Sequence, residues 1–253
     1  MKYSPKFFKD RMPEWKRKKD PIAAKIIHRP ISFIFSSIFV EMGLTPNHVS
    51  FISLIIALAS CICFGIPSNA AFIIAFVLLN LWSITDSADG NMARSLGGKP
   101  YGDFIDATSS YFLYGMMFLP LAFSTTKLGY TVLPIESSLL ILIGGLTGSL
   151  DTMTRLFFQK MKNNAYEIQI EEMKKGTTNG EDVSGESQST IRKLQAKVDG
   201  EFTSAGTVHL LVLLICFITK SLDVCIILYF LYNGLTFLAS MVYLIKKTGC
   251  LKK

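Results

Sequence analysis

Apolar residues in this chain are gathered into long blocks, and that constrains its fold more than any other feature. Blocks run over 48–66, 70–81, 101–124, 135–158, 204–218 and 224–245. A helix of about 20 apolar residues crosses a bilayer core. Inside lipid every backbone polar group must be satisfied within the spanning structure, which leaves helices or closed barrels. The blocks are broken by Gly and Pro and lack the strict alternation of a barrel strand. Half of the 253 residues are hydrophobic and the mean hydropathy is +0.38, which excludes an ordinary soluble domain. The expected class is an all-α integral membrane protein, with six transmembrane helices preceded by an interfacial amphipathic helix.

The net charge of +7 is concentrated at one end. Residues 1–29 carry ten Lys or Arg against Asp10, Glu14 and Asp20. A basic run before an apolar block points to the cytoplasmic side and to anionic membrane lipids. No nucleic-acid reading module follows it, so nucleic acid is not an expected partner. Residues 1–20 read as a basic polar segment, loosely ordered. Residues 21–42 read as a juxtamembrane helix that starts at Asp20-Pro21 and bends at Pro30. Its apolar side holds Ile22, Ile26, Ile27, Ile31, Ile34 and Ile38. Lys25, Arg29, Ser32 and Ser36 fall toward the other side.

The six-helix domain spans 44–247, followed by a 248–253 tail. Its first helix opens on Thr45-Pro46-Asn47, a cap followed by Pro. A cytoplasmic loop is expected over about 160–201, flexible across 176–190 and helical again over 191–198. Basic residues place both termini and this loop on one side, the cytoplasm, together with Arg94 and Lys99. The five cysteines show no paired CxxC motif and read as small buried hydrophobes.

Between the second and third blocks lies an acidic stretch, Asp86 to Ser110. Asp86 and Asp89 are three apart and share a helix face, and Asp103 and Asp106 repeat the spacing on the next helix. A short turn between two antiparallel helices brings both pairs into one pocket. Carboxylates crowded near lipid repel, and a divalent cation between them relieves this. Hard oxygen ligands point to Mg²⁺ (or Mn²⁺). Such an ion suits a diphosphate. Gly90 permits close approach of a ligand to the helix, and Arg94 offers a forked cation.

The stretch resembles the CDP-alcohol phosphotransferase (CDP-alcohol phosphatidyltransferase) family. That family carries D-x2-D-G-x2-A-R, seven or eight residues, then G-x3-D-x3-D. This chain reads Asp86, Asp89-Gly90, Ala93-Arg94, seven residues, Gly102, Asp106 and then Ser110. Arg29-Pro30-Ile31-Ser32, Leu44-Thr45-Pro46-Asn47 and the six crossings also look like this family. The resemblance implies a CDP-alcohol donor, attack by an acceptor hydroxyl on its phosphate, and release of CMP. It implies Asp86, Asp89 and Asp106 as metal ligands, with Gly90, Ala93 and Gly102 making room for the nucleotide. It also implies a homodimer.

The last motif position departs, since the family has Asp where this chain has Ser110. Serine is a weak ligand and a poor base at neutral pH. Three readings stay open: Asp103 stands in one turn earlier, the acceptor needs no strong base, or catalysis has been lost and binding kept. Asp151 and Arg155, four apart, form either a helix-end ion pair or, through Arg155, a contact to a phosphorylated acceptor. The reading is therefore a divalent-metal-dependent transferase of phospholipid or related phosphodiester biosynthesis. Its rivals are a catalytically silent nucleotide- or lipid-binding protein of the same fold and an ion-coupled transporter.

Overall fold

The computed structural model describes residues 3–98, 100–174 and 206–247. The flexible stretch and helix expected over 176–198, and the C-terminal tail, lie outside the described residues. Every regular element among those described is helical.

The N-terminal residues, expected to be loosely ordered, form two short helices, α1 (Pro5–Asp10) and α2 (Glu14–Lys19). Ser4 caps α1 by accepting from the Phe7 N–H at 3.4 Å. Apolar residues among the lysines drive the order. Phe8 and Met12 are buried against Phe33, Val49, Ala88 and Met92. Fully burying one such side chain is worth about 1.5–3 kcal/mol.

The chain turns at Asp20 and becomes helical again, passing through a π turn, Ala24–His28, into α3 (Arg29–Glu41). Pro30 lacks an N–H and cannot continue the regular ladder. The wider turn just before it absorbs the fault, with the Arg29 N–H reaching the Ala24 carbonyl.

The α3 helix is amphipathic in the reverse of the usual sense. Arg29, Ser32 and Ser36 are buried, while Ile22, Ile26 and Ile27 before it and Ile34 and Ile38 within it are exposed. The polar side faces protein and the apolar side faces outward.

Thr45 and His48 cap α4 (Pro46–Gly65) reciprocally. The Thr45 hydroxyl accepts from the His48 N–H at 3.4 Å, and His48 Nδ1 accepts from the Thr45 N–H at 3.3 Å. The next helix, α5 (Asn69–Leu96), carries its apolar block and the acidic motif without a break. It ends at Gly97, whose φ of 95° is a conformation that favours glycine. Then follow α6 (Gly102–Met116), α7 (Phe118–Leu128), α8 (Ser137–Lys174), α9 (Thr207–Ile218) and α10 (Leu222–Lys247).

Four helical stretches among the described residues have the length and apolarity to cross a membrane: Pro46–Gly65, Asn69–Leu96, Ser137–Met161 and Leu222–Ile245. The third expected crossing is divided at Met117 into α6 and α7, and α9 has only 12 residues. The α8 helix runs to Lys174, into the stretch expected to be loop. No Gly or Pro stands between Gly148 and Gly176 to stop it.

The main core is one cluster shared by α4 to α10, with Leu79, Leu113, Met117, Phe118 and Ile226 at its centre. Phe72 and Phe217 stack at 3.9 Å between α5 and α9. The α8 helix presses on α6 and α7 through two glycines four apart. A Cβ at Gly148 would run into the Gly115 carbonyl, and one at Gly144 would lie 2.6 Å from the Phe118 carbonyl. Buried Asp223 on α10 accepts from the Val132 and Leu133 N–H groups at 2.8 and 2.7 Å, which ties down the α7–α8 loop.

Candidate active site

On α5, Asp86 and Asp89 lie one turn apart. The turn over 97–101 reverses the chain, and α6 returns alongside. There the Asp106 carboxyl makes a hydrogen-bond contact with that of Asp86, and Asp89 is within electrostatic reach of both. Asp89 is buried, and its Oδ2 accepts from the Ser50 hydroxyl at 2.6 Å. Three carboxyl groups from two helices are thus gathered at the end of the α5–α6 hairpin. Carboxylates this close require a shared proton or a cation.

The start of α4 holds the turn in place. Asn47 Nδ2 donates to the Pro100 carbonyl at 3.1 Å. Asn47 Oδ1 is a buried acceptor without a partner, and it lies 3.3 Å from where a Cβ at Gly102 would be. A side chain at Gly102 would crowd Asn47 where α6 passes α4.

Gly90 makes room for a side chain rather than for open space. The Arg94 guanidinium folds back over it, so that a Cβ there would lie 3.0 Å from both terminal nitrogens. Arg94 is otherwise exposed, and its Nη2 donates to Asn91 Oδ1 at 3.1 Å. Ala93 lies half-buried on the same turn.

Ser110 is half-buried, and its hydroxyl donates to the Ala107 carbonyl at 2.8 Å, within its own helix. Asp103 lies in the first turn of α6, one turn before Asp106. Arg155 forks onto Asp151 at 2.6 and 3.3 Å, with its guanidinium 4.9 Å above the Tyr114 ring. The i,i+4 ion pair is present, in mid-helix rather than at a helix end because α8 continues to Lys174, so any acceptor contact at Arg155 has to share that guanidinium.

Residues that sequence reasoning did not single out complete the site. Ser50 holds Asp89. Its signal was weak but present, because Asn47 and Ser50 stand three apart at the start of an otherwise apolar helix. Arg29 lies behind α5 and donates from Nη1 to the Ser87 carbonyl at 3.5 Å and to Asn91 Oδ1 at 3.3 Å. Read from the sequence alone, Arg29 belonged to the polar side of its helix, opposite the isoleucines.

The family model described as CDP-alcohol phosphatidyltransferase matches residues 43–174, just over half of the chain. The chain belongs to the CDP-alcohol phosphatidyltransferase family. No curated protein matches the chain. The family's reaction class is phosphotransfer from a CDP-alcohol, in lipid biosynthesis. The matched span begins just before α4 and ends with α8, so it contains the whole α5–α6 hairpin and Ser50. It leaves out α1 to α3, and with them Arg29. Among the described residues no three His, Cys, Asp or Glu side chains converge closely enough to hold one ion in this arrangement. The donor set nevertheless fits a hard divalent cation, since Asp86 and Asp106 meet carboxyl to carboxyl and Asp89 stands beside them.

Proposed function

We propose that this protein transfers the substituted phosphate of a CDP-alcohol to an acceptor hydroxyl and releases CMP. The observation that carries this is the meeting of Asp86 and Asp106 across the α5–α6 turn, with Asp89 held beside them by Ser50. Asp86, Asp89 and Asp106 would hold Mg²⁺ or Mn²⁺. Bound there, the ion supplies charge neutralisation and orientation for a diphosphate. Arg94, folded over Gly90, points a charged donor at the same end of the hairpin. Gly102 keeps the turn close to α4, and the unpartnered Asn47 Oδ1 beside it can accept from a donor on the nucleotide. Arg155 enters as a second anion contact, shared with Asp151.

Ser110 is a poor recipient for the acceptor's proton, because a neutral hydroxyl is a very weak base at neutral pH; its own proton goes to the Ala107 carbonyl. Asp103 occupies the same helix one turn before Asp106 and is assigned the role of base. The Ser110 position equally supports a second reading, a silent binding protein of this fold. Six crossings, a cytoplasmic site, contact with membrane lipids and a homodimer complete the proposal.

The deciding experiment measures CMP release by the purified protein, with Mg²⁺, a panel of CDP-alcohols and a panel of hydroxyl acceptors, some phosphorylated. Release above the level of Asp86→Asn supports the enzyme, and none with any pair leaves the silent reading. Asp103→Asn should lower turnover by about 10²-fold or more. Unchanged turnover in that variant removes Asp103 as the base. Ser110→Asp should then restore part of the loss in the Asp103→Asn background.

A further inference from the structure

One polar cluster behind α5 is not part of the motif. Asp20 and Arg29 form a buried fork, with Arg29 Nε and Nη2 donating to the two Asp20 oxygens at 2.6 and 3.1 Å. Lys16 adds a second cation to Asp20 at 3.4 Å. Burial opposes ionisation of Asp20, but the Arg29 and Lys16 contacts outweigh it and hold its carboxyl below the usual range. The remaining Arg29 nitrogen, Nη1, reaches Asn91 Oδ1 at 3.3 Å. That same oxygen accepts from Arg94 Nη2 at 3.1 Å, and Asn91 Nδ2 donates to the Ser32 hydroxyl at 3.0 Å.

Asn91 is buried at 2% exposure, and each of its polar atoms is committed. The contacts fix which way its amide points. Guanidinium groups only donate, so they face the oxygen. The Ser32 proton is already given to the Arg29 carbonyl at 2.9 Å, so that hydroxyl accepts. Two cations share one neutral oxygen. An aspartate in this place would satisfy both but would cancel one positive charge beside a site for an anionic donor. The neutral amide holds Arg94 in place and leaves its charge available.

We infer that Asn91 is a positioning residue. It couples the buried Asp20–Arg29 pair and Ser32 of the juxtamembrane segment to Arg94, and so sets where the Arg94 guanidinium lies over Gly90. This rests on the functional reading only for its kinetic consequence, since the coupling itself is structural.

The test has two arms on the full-length protein in nanodiscs. In the first, arginine is ¹⁵N-labelled; the chain has six, and loss of a resonance in Arg94→Lys assigns Arg94. Its guanidinium signals should be resolved in wild type and should collapse toward the freely rotating average in Asn91→Ala. Unchanged Arg94 signals in Asn91→Ala overturn the inference, whether or not the protein turns over any substrate. In the second arm, kcat/KM for CMP release is measured in a cycle of Asn91→Ala and Arg94→Ala. Asn91→Ala should cost about tenfold alone and less than about twofold in the Arg94→Ala background. An equal loss in both backgrounds means that Asn91 acts through the fold rather than through Arg94, and overturns the inference. Absence of CMP release from wild type refutes the proposed function, and the first arm then decides the coupling alone.

Discussion

His28 shows how one residue's surroundings set its chemistry. Asn80 Nδ2 is committed to the Phe76 carbonyl at 2.8 Å, so Asn80 Oδ1, 3.1 Å from His28 Nε2, has to accept. The ring is therefore protonated at Nε2, and Nδ1 accepts from the Ser83 hydroxyl at 3.0 Å. Burial lowers the His28 pKa; the Asn80 contact opposes this and the Arg29 charge assists it. An imidazole whose pKa falls on folding stabilises the protein fully only above its unfolded value, about 6.5. Below that, the unfolded state takes up the proton and stability drops, by at most about 1.4 kcal/mol per pH unit. Tm in detergent should fall between pH 7 and 5.5, and His28→Gln should flatten that slope. Parallel slopes in the two proteins would show that His28 is not the source. At this scale the sequence was legible where spacing decides. A three-residue step puts Asp86 and Asp89 one turn apart on α5, and the short turn after it brings α6 back with Asp106 beside Asp86. Ser50 and Asn91 were not legible, because a single hydroxyl or amide reveals its partner only once the helices are packed.

Whole helices were the most legible part of the chain, and their ends and joints the least. The α5 helix followed from its apolar block and from the shared face of Asp86 and Asp89, and it runs through the acidic motif to Leu96. Only the structure shows that Arg94 occupies the space Gly90 leaves. Pro30 was expected to bend its helix, and the structure meets the same missing N–H with a π turn. The join of α8 to α6 and α7 turns on Gly144 and Gly148, whose spacing lets backbones touch. Gly148→Ala puts a methyl group against the Gly115 carbonyl, which belongs to another helix and is not a flexible side-chain tip. Overpacking of this kind costs about 1–3 kcal/mol. Gly148→Ala should lower Tm by several degrees, whereas Gly145→Ala, whose Cβ meets only a Leu119 methyl at 3.5 Å, should change it little. Similar Tm values for the two variants would contradict this account of the packing.

Across the whole molecule, the burial pattern of α3 changes what its charge means. Arg29, Ser32 and Ser36 are turned inward on α5, and the isoleucines of the segment are turned outward, as expected of a helix whose apolar face meets lipid. Periodicity finds the two faces but not which one meets protein, because an apolar face packs inward in water and turns outward in lipid. The N-terminal segment follows the same logic. Its lysines dominate the sequence, but Phe8 and Met12 decide its place, packing on Ala88 and Met92 of the helix that bears Asp86 and Asp89. That cluster is separate from the main core around Leu79 and Leu113. Loosening one should therefore leave the other intact. Phe8 is 1% exposed, and replacing a buried Phe by Ala costs about 3–5 kcal/mol locally. In Phe8→Ala, trypsin should cut at Lys9, Arg11 and Lys16 to Lys19 at least about tenfold faster than in wild type, because cleavage follows the population of the opened segment. Helical circular dichroism and the main thermal transition, which report the four long apolar helices, should stay close to wild type. CMP release should fall with the opening, since Phe8 and Met12 pack on Ala88 and Met92 of α5, beside the Asn91 that Arg29 meets. If the main transition falls in step with the loss of the N-terminal contacts, the two clusters melt as one unit and the division drawn here is wrong.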